Sequence, residues 1–482
     1  MSVRLSNLFA ALANATIHGP VDGTIEAIVA DSRAVQPGAL FIALAGQAVD
    51  GHTFVAAAVA AGAAAIVVDR AVDVPAGVAV IRVDDTARAA SRLAAAFYDE
   101  PSLYLHVVGV TGTNGKTTTT HLVARAVEAA GHRCAIIGTL GAWLGARHWP
   151  LHNTTPLAIE LHGLLADVRA AGASHVAMEV SSHALALQRV ADVDFDVAVL
   201  TNLTRDHLDF HGTFEAYAAA KRRLFQSATE RILNLDDPTG LAWSRQSAGA
   251  VTYAIDRDAE VRARHVALRC EGSSFSVDDV TFTVGLPGRF NVSNALAAIA
   301  VARALGIDDR VSAQGIAALE NVPGRMERVA GEGYTIVVDY AHTPDALERA
   351  LAAAREFTPG RLLVVFGAGG DRDRGKRPIM GKVASELGDT VIVTSDNPRS
   401  ESAQAIIQEI LAGVVPGGPA KVEAIVDRRE AIRAAVSMAR EGDTILIAGK
   451  GHEPYQIVGD RRLPFDDREE ARAAVAARGI CT

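Results

Sequence analysis

Along this chain, short runs of β-branched and other apolar residues alternate with longer alanine-rich stretches of helical period. Strands covered on both faces read as continuous apolar runs, and parallel strands need helical crossovers between them. The strands so predicted are Ala64–Val68, His106–Val110, His175–Glu179, Val197–Thr201, Tyr334–Asp339, Leu362–Phe366, Thr390–Thr394 and Thr444–Ala448. Helices are predicted over Lys116–Ala130 and Pro344–Glu356. Residues 251–284 break the rhythm with short, charge-interrupted runs and predict a β-rich excursion. The whole pattern is that of an α/β protein with mostly parallel sheets.

Two punctuated joints divide it. Asp99-Glu100-Pro101-Ser102 precedes the strand that feeds a glycine loop, and Pro323-Gly324-Arg325 precedes a fresh strand–helix series. They predict three domains, residues 1–101, 102–326 and 327–482, which suits a chain of 482 residues at roughly 150 per domain. With 49% hydrophobic but only 5% aromatic residues, the layers must be packed largely with small aliphatics. A net charge of −9 argues against a general hold on nucleic acid or anionic lipid, while allowing an anionic ligand in a local basic pocket. Cys134, Cys270 and Cys481 are scattered and form no CxxC pair, so neither a disulfide framework nor a zinc site is expected. The N-terminus lacks a charged-then-apolar signal pattern, and the uncharged stretch Phe54–Val68 is shorter than the ~20 residues of a spanning helix. A cytoplasmic monomer without membrane insertion is expected.

The strongest chemical signal is Gly109-Val110-Thr111-Gly112-Thr113-Asn114-Gly115-Lys116-Thr117-Thr118, entered by a strand and left by a helix. In that setting backbone N–H groups turn inward to cradle phosphates, a lysine neutralises the terminal ones and a hydroxyl reaches Mg²⁺. The general GxxxxGK[ST] spacing would put its first glycine at position 110, where this chain has Val110. Two further strands end in chemistry-bearing residues, Met178-Glu179-Val180-Ser181-Ser182-His183 and Thr201-Asn202-Leu203-Thr204-Arg205-Asp206-His207. On a parallel sheet both would lie at the edge where ligands bind. Gly367-Ala368-Gly369-Gly370 lacks the GxGxxG spacing of a dinucleotide site, so no redox role is expected.

Gly-Thr-Asn-Gly-Lys-Thr-Thr-Thr resembles the phosphate loop of the Mur ligases and of their relative folylpolyglutamate synthase. These enzymes convert a carboxylate to an acyl phosphate with ATP and let an amine displace the phosphate. The resemblance runs through the whole chain. It implies a UDP-binding N-terminal α/β domain, a central P-loop ATPase domain and a Rossmann-like C-terminal domain. It implies ATP contacts at Gly112, Thr113, Asn114, Gly115, Lys116, Thr117, Thr118, Asn291, Arg325, Asp339 and His342. Catalytic roles fall to Lys116, Glu179, His207 and Lys221, and Mg²⁺ to Thr117, Glu179, His207 and a carbamylated Lys221. His207 and Asp339 are both open as a general base.

Asp31-Ser32-Arg33 and the following Gly38–Leu44 look like the UDP-binding domain of the family's third-step ligase, a domain the folate relative lacks. The resemblance gives Ser32, Asn153, Thr154, Thr155, Ser181 and Arg189 to a UDP-N-acetylmuramoyl-L-alanyl-D-glutamate substrate. Where the family sometimes carries Gln, this chain has Leu187, with Gln188 beside it. Asp396-Asn397-Pro398-Arg399 looks like the mark of members that use meso-diaminopimelate, with Arg372, Gly449 and Glu453 as further contacts. An arginine suits this acceptor because its far carboxylate can be gripped bidentately, a grip lysine would not reward. The implied activity is addition of meso-diaminopimelate to the D-glutamate γ-carboxylate in peptidoglycan precursor synthesis. The rivals are an L-lysine-adding form of the same ligase and a P-loop ATPase that is not a ligase.

Overall fold

A computed structural model of the chain describes residues 2–46, 49–329, 331 and 333–480, with backbone alone at 479 and 480; Cys481 lies outside the described residues. The chain divides into two compact units, residues 1–252 with 300–307, and residues 253–299 with 308–482. The architecture is α/β throughout.

The first unit holds two large sheets and a two-stranded one, Val3–Arg4 with Thr24–Ile25. Strands β1 (Thr16–His18), β2 (Ala27–Val29), β3 (Ala39–Ile42), β4 (Ala65–Val68) and β5 (Ala79–Arg82) lie in the order β1-β5-β4-β3-β2. All pairs are parallel except β1 with β5. Helix α1 (Thr86–Phe97) starts where the Asp85 carboxylate accepts the backbone N–H groups of Ala87 and Arg88.

The second sheet begins with β6 (His106–Thr111), which leads into α2 (Lys116–Ala129) and β7 (Cys134–Gly138). The hairpin β8 (Gly141–Leu144) and β9 (Arg147–Trp149) follows, then α3 (Ala158–Ala170), β10 (His175–Glu179), the short α4 (Ser182–Ala186), β11 (Val197–Leu200), α5 (Phe214–Arg222) and β12 (Glu230–Asn234). These strands run β9-β8-β7-β10-β6-β11-β12, with the hairpin antiparallel. β6 is therefore central, paired in parallel with β10 and β11. Its Val107, Val108 and Val110 are fully buried, as a strand covered on both faces requires.

The second unit carries the excursion expected from the broken rhythm. It is a three-stranded antiparallel sheet of β13 (Arg264–Arg269), β14 (Gly272–Val277) and β15 (Val280–Val284), with Phe275 and Phe282 stacked face to face. The third large sheet follows: β16 (Glu327–Val329), β17 (Thr335–Asp339), α6 (Pro344–Glu356), β18 (Leu362–Phe366), α7 (Lys376–Leu387), β19 (Thr390–Val393), α8 (Ala403–Leu411), β20 (Lys421–Ala424), α9 (Arg428–Met438) and β21 (Thr444–Ala448). A hairpin, β22 (Tyr455–Val458) and β23 (Arg461–Pro464), precedes α10 (Asp467–Ile480). The order is β16-β17-β21-β18-β19-β20, parallel except for β16. Thr343 caps α6 and Pro344 fills its first turn, where a missing N–H costs nothing. Arg428 and Asp467, both fully buried, pair bidentately at 2.7 Å, and Arg428 also donates to the Ala448 carbonyl at 3.0 Å.

All eight predicted strands are present. Ala64, Thr201, Tyr334 and Thr394 fall just outside, because pairing stops where the chain turns into a loop. The two hairpins carry no long apolar run and were not separately predicted.

One buried group sets a pH dependence for the first unit. His162 on α3 is fully buried, and neither ring nitrogen has a hydrogen-bond partner among the described residues. Burial pushes its imidazolium down to about 4. The unfolded chain takes up this proton below about 6.5, while the folded chain resists until about 4. Stability from this residue is thus intact above about 6.5 and falls as pH drops toward 4. His162→Leu is expected to gain about 2 kcal/mol more at pH 5 than at pH 8. Denaturant unfolding at the two pH values checks this; an equal change at both would overturn it.

Candidate active site

One cluster of candidate residues forms at one edge of the central sheet. Glu179, the last residue of β10, lies opposite Val110, and Leu200 of β11 lies opposite Thr111. Three strands therefore end together around the glycine loop, the edge at which parallel sheets bind ligands. The loop is stitched to the strand end that follows β11. Thr113 N–H donates to the Asn202 carbonyl at 2.9 Å, Asn114 N–H to Asn202 Oδ1 at 3.0 Å, and the Thr201 hydroxyl to the Asn114 carbonyl at 2.6 Å. A Cβ on Gly112 would sit 1.9 Å from Thr201 Oγ1, so only glycine lets the loop approach this closely.

Two lysines converge on that loop. Lys116 Nζ donates to the Gly112 and Thr113 carbonyls, both at 2.9 Å. Lys221, on α5, is 1% exposed and donates to the same Gly112 carbonyl at 2.9 Å, with Tyr217 alongside. Burial, reinforced by the nearby Lys116 charge, holds the Lys221 ammonium well below the usual lysine range. A neutral amine is the form that can react with carbon dioxide or act as a base.

Glu179 is also buried. Its Oε1 accepts the Thr139 N–H at 2.9 Å and its Oε2 the Thr139 hydroxyl at 3.2 Å. The Thr139 hydroxyl lies 3.1 Å from that of Thr154. The Thr155 hydroxyl donates to the Glu179 carbonyl at 2.9 Å and accepts the Ser181 N–H at 3.0 Å. Arg189 donates to the Thr155 carbonyl at 3.1 Å. Four of the six residues expected to hold the nucleotide-sugar substrate, Thr154, Thr155, Ser181 and Arg189, thus form one network behind Glu179. Asn153 lies exposed just before them, and Ser32 opens a separate short 3-10 turn capped by Asp31. Leu187 is exposed, and Gln188 turns to Asp85 at 2.5 Å.

His207 has a left-handed backbone, φ 51°, and stacks edge-on against His183 with ring centroids 4.7 Å apart. Burial and then the Lys116 and Lys221 charges lower its pKa, against an opposing pull from Asp206. A neutral ring can accept a proton or bind a metal ion.

Among the described residues, no three or more His, Cys, Asp or Glu side chains converge as a metal cage. Mg²⁺ typically takes one or two protein oxygens and otherwise phosphate and water. Glu179 and the Thr117 hydroxyl are donors of that hard type.

A separate cluster, in the second unit, is built at the ends of β17, β18, β19 and β21. The Asp339 carboxylate accepts the N–H groups of Met326 at 2.8 Å and Ala341 at 2.9 Å, tying Pro323–Met326 to the end of β17. Burial raises its pKa, opposed by Arg325. Arg325 lies over the Tyr340 ring at 5.0 Å, and Lys376 donates to the His342 carbonyl at 2.9 Å. Asn291 is buried with its amide on the Pro287 carbonyl at 2.7 Å and on Asn294 at 3.0 Å, so it shapes its own turn.

Residues 396–399 form a rigid loop. Asn397 is fixed on both sides: Oδ1 accepts from Ile457 N–H at 2.9 Å and Lys450 at 3.0 Å, and Nδ2 donates to Glu453 at 2.9 Å. Arg399 has φ 52° and donates to the Gly370 carbonyl at 2.7 Å. A methyl group placed on Gly369 would sit 2.9 Å from Arg399 Nη1 and 3.7 Å from Arg372 Cγ, so both arginines flank one glycine. Gly449, φ 121°, leaves room for Asp396, whose Oδ2 would be 2.6 Å from a Cβ there. Arg372, Asp396–Arg399, Gly449 and Glu453 are therefore gathered at one sheet edge.

Sequence reasoning passed over Thr139, which holds the Glu179 carboxylate, and Lys450, which donates to Asn397 and Glu453. Lys450 was visible only as a charged residue directly after an apolar strand.

Three family models match the chain: the Mur ligase middle domain over residues 110–302, the Mur ligase glutamate ligase domain over 324–451, and the Mur ligase family catalytic domain over 24–98. The UDP-N-acetylmuramoyl-L-alanyl-D-glutamate–2,6-diaminopimelate ligase of Gloeobacter violaceus is 47% identical over 488 residues, covering 99% of each chain. The protein of the same name from Syntrophomonas wolfei is 46% identical over 468 residues, covering 94% of this chain and 95% of its own. A solved structure of a ligase of that name superposes with a TM-score of 0.72 at 34% identity, covering 99% of this chain and 100% of the other.

Proposed function

The chain belongs to the Mur ligase family, and we propose that within it this protein joins meso-diaminopimelate to UDP-N-acetylmuramoyl-L-alanyl-D-glutamate at the expense of ATP. It is an acid–amino-acid ligase of peptidoglycan precursor synthesis. The observation that carries the choice of acceptor is the loop Asp396–Arg399, held so that Arg399 and Arg372 flank Gly369 with Glu453 hydrogen-bonded to Asn397. Two guanidiniums suit the far carboxylate of diaminopimelate, and a carboxylate suits its ammonium.

In the reaction, the residues Gly112–Thr118 cradle the triphosphate, and Lys116 neutralises its terminal charge. Arg325, Asp339, His342 and Asn291 belong to the nucleotide side in this reading. Mg²⁺ would be held by Glu179 and Thr117, with His207 and a carbamylated Lys221, and would supply charge neutralisation at the phosphates. The low proton affinity of Lys221 supports its carbamylation. Thr154, Thr155, Ser181 and Arg189, with Ser32 and Asn153, hold the nucleotide-sugar dipeptide. Its γ-carboxylate attacks the γ-phosphorus in line and ADP leaves; positioning and fixed charge supply most of the acceleration. The acceptor amine then attacks the acyl carbon, forming the amide and releasing phosphate, and a base takes the amine proton.

The three large sheets fall one in each of the segments 1–101, 102–326 and 327–482, which supports those as the domains. Among the described residues no helix is long and apolar enough to cross a membrane. We place the reaction in the cytoplasm, carried out by a monomer without nucleic acid.

The test is phosphate release from ATP in the presence of the nucleotide-sugar dipeptide. Release is expected with meso-diaminopimelate and to be at least about 100-fold weaker with L-lysine, whose missing carboxylate leaves both guanidiniums unpaired. Equal release with lysine would overturn the acceptor assignment. Release without any amino acid or nucleotide-sugar would overturn the ligase.

A further inference from the structure

Arg377 lies on α7, outside every contact assigned above, yet its side chain is 0% exposed. Nη1 donates to Glu401 Oε2 at 2.9 Å and to Glu409 Oε2 at 2.7 Å. Nη2 donates to Glu401 Oε1 at 2.7 Å and to the Gly369 carbonyl at 3.2 Å. A single guanidinium therefore grips one carboxylate bidentately, a second carboxylate, and the backbone of the loop that carries Arg372.

The loop that carries Arg399 is tied to the same point. Glu401 Oε1 also accepts the Asp371 N–H at 2.6 Å. The Asp371 carboxylate accepts the Ser400 hydroxyl at 2.6 Å and the Ser400 N–H at 3.2 Å. Gly370 N–H donates to the Asn397 carbonyl at 2.9 Å. Arg374 adds a second cation on Glu409. Residues 369–372 and 397–401 are thus clamped together from below by one buried charge.

Backbone conformation gives a second, independent sign of that clamp. Asp371 and Arg399 both have left-handed backbones, φ 53° and 52°, at facing positions of the two loops. Non-glycine residues adopt this region at a cost, and persist there only when surrounding contacts over-determine them. Glu401, held by Arg377, supplies one such contact at the Asp371 N–H, while the Arg399 backbone is held by the Ile457 carbonyl and the Gly459 N–H.

We propose that Arg377 is a positioning residue that sets the spacing between Arg372 and Arg399, and thereby the fit of the site to a carboxylate-bearing acceptor. The inference rests on the acceptor reading above. Lysine could keep the charge at 377 but could not bridge two carboxylates and a carbonyl in a fixed plane. Arg377 touches neither the phosphate loop nor the residues given to the nucleotide-sugar, so its removal should act on one substrate alone.

Steady-state kinetics of the full-length enzyme, with ATP, nucleotide-sugar dipeptide and meso-diaminopimelate varied in turn, test this. R377K is expected to raise KM for diaminopimelate about tenfold, since a small misplacement of a binding group is costly. The KM values for ATP and for the nucleotide-sugar should stay within about twofold of the parent enzyme, as uniform binding elsewhere is untouched. E401Q, which keeps the shape but weakens the bidentate pair, should move the same constant in the same direction even if R377K folds poorly. An unchanged KM for diaminopimelate in E401Q, or an equal rise in all three constants, overturns the proposal. R399A run beside them separates the two levels: if it too leaves the diaminopimelate KM unchanged, the acceptor reading itself has failed.

Discussion

Lys116→Met is expected to lower phosphate release with all three substrates present by about 10²- to 10³-fold while leaving the protein folded. The lysine stands at the first turn of α2, its ammonium on the loop carbonyls of Gly112 and Thr113, within reach of whatever anion the loop holds. Its contribution grows as charge moves onto the leaving phosphate, so the loss should fall mainly on kcat rather than on KM for ATP. Methionine keeps most of the aliphatic stem, and the loop retains its ties through Thr201 and Asn202, so thermal unfolding should shift little. A variant with near-parental kcat would mean that the loop does not carry the phosphoryl transfer. The neighbouring ammonium of Lys221 makes the result sharper. Removing the Lys116 charge removes one of the two influences that hold Lys221 neutral, leaving burial, the larger one. The variant therefore tests charge at the phosphates without restoring an ordinary lysine at 221.

Much of the fold was legible because parallel strands are uninterrupted apolar runs. The strand His106–Thr111, the glycine loop and the helix start at Lys116 follow one another in a single stretch of sequence, and the loop announces its own chemistry. Glu179 was legible as an ionisable residue at a strand end, whereas His207 lies beyond the end of β11, at the start of the helical turn Leu208–His211. What escaped is what the chain brings together from far apart. Thr139 holds Glu179 across 40 residues, and Arg377 joins Gly369 to Glu401 and Glu409. A threonine after a strand and an arginine in a first helical turn look ordinary until the partner arrives. Asn291, which a motif marks for the nucleotide, also hydrogen-bonds to Pro287 and Asn294, contacts the sequence gives no sign of. The β8–β9 hairpin escaped because its strands are only four and three residues long, too short for a periodic apolar run.

Arg399 carries the second large effect, and its backbone allows two causes to be separated. Arg399→Ala is expected to lower kcat/KM for meso-diaminopimelate by roughly 10²-fold, about 3 kcal/mol, the usual cost of truncating one partner of a desolvated, hydrogen-bonded charge pair. The alanine also removes the 2.7 Å bond to the Gly370 carbonyl, and the loop could shift for that reason alone. Arg399→Gly resolves the ambiguity. At φ 52° glycine is unstrained whereas alanine pays about 1 kcal/mol, so the glycine variant should unfold at a temperature equal to or above that of the alanine variant. If the guanidinium grips the far carboxylate, both variants lose diaminopimelate equally and neither loses L-lysine, because the missing interaction is one that lysine never made. If the loop's geometry is what matters, the glycine variant recovers much of the activity, since the ties through Asn397 to Ile457 and Lys450 survive in both. Kinetics of the two variants with the two acceptors, alongside their melting temperatures, distinguish these outcomes. Equal loss in both, confined to diaminopimelate, is the expected one: the loop's shape is secured by Asn397, and what position 399 adds is charge directed at a carboxylate.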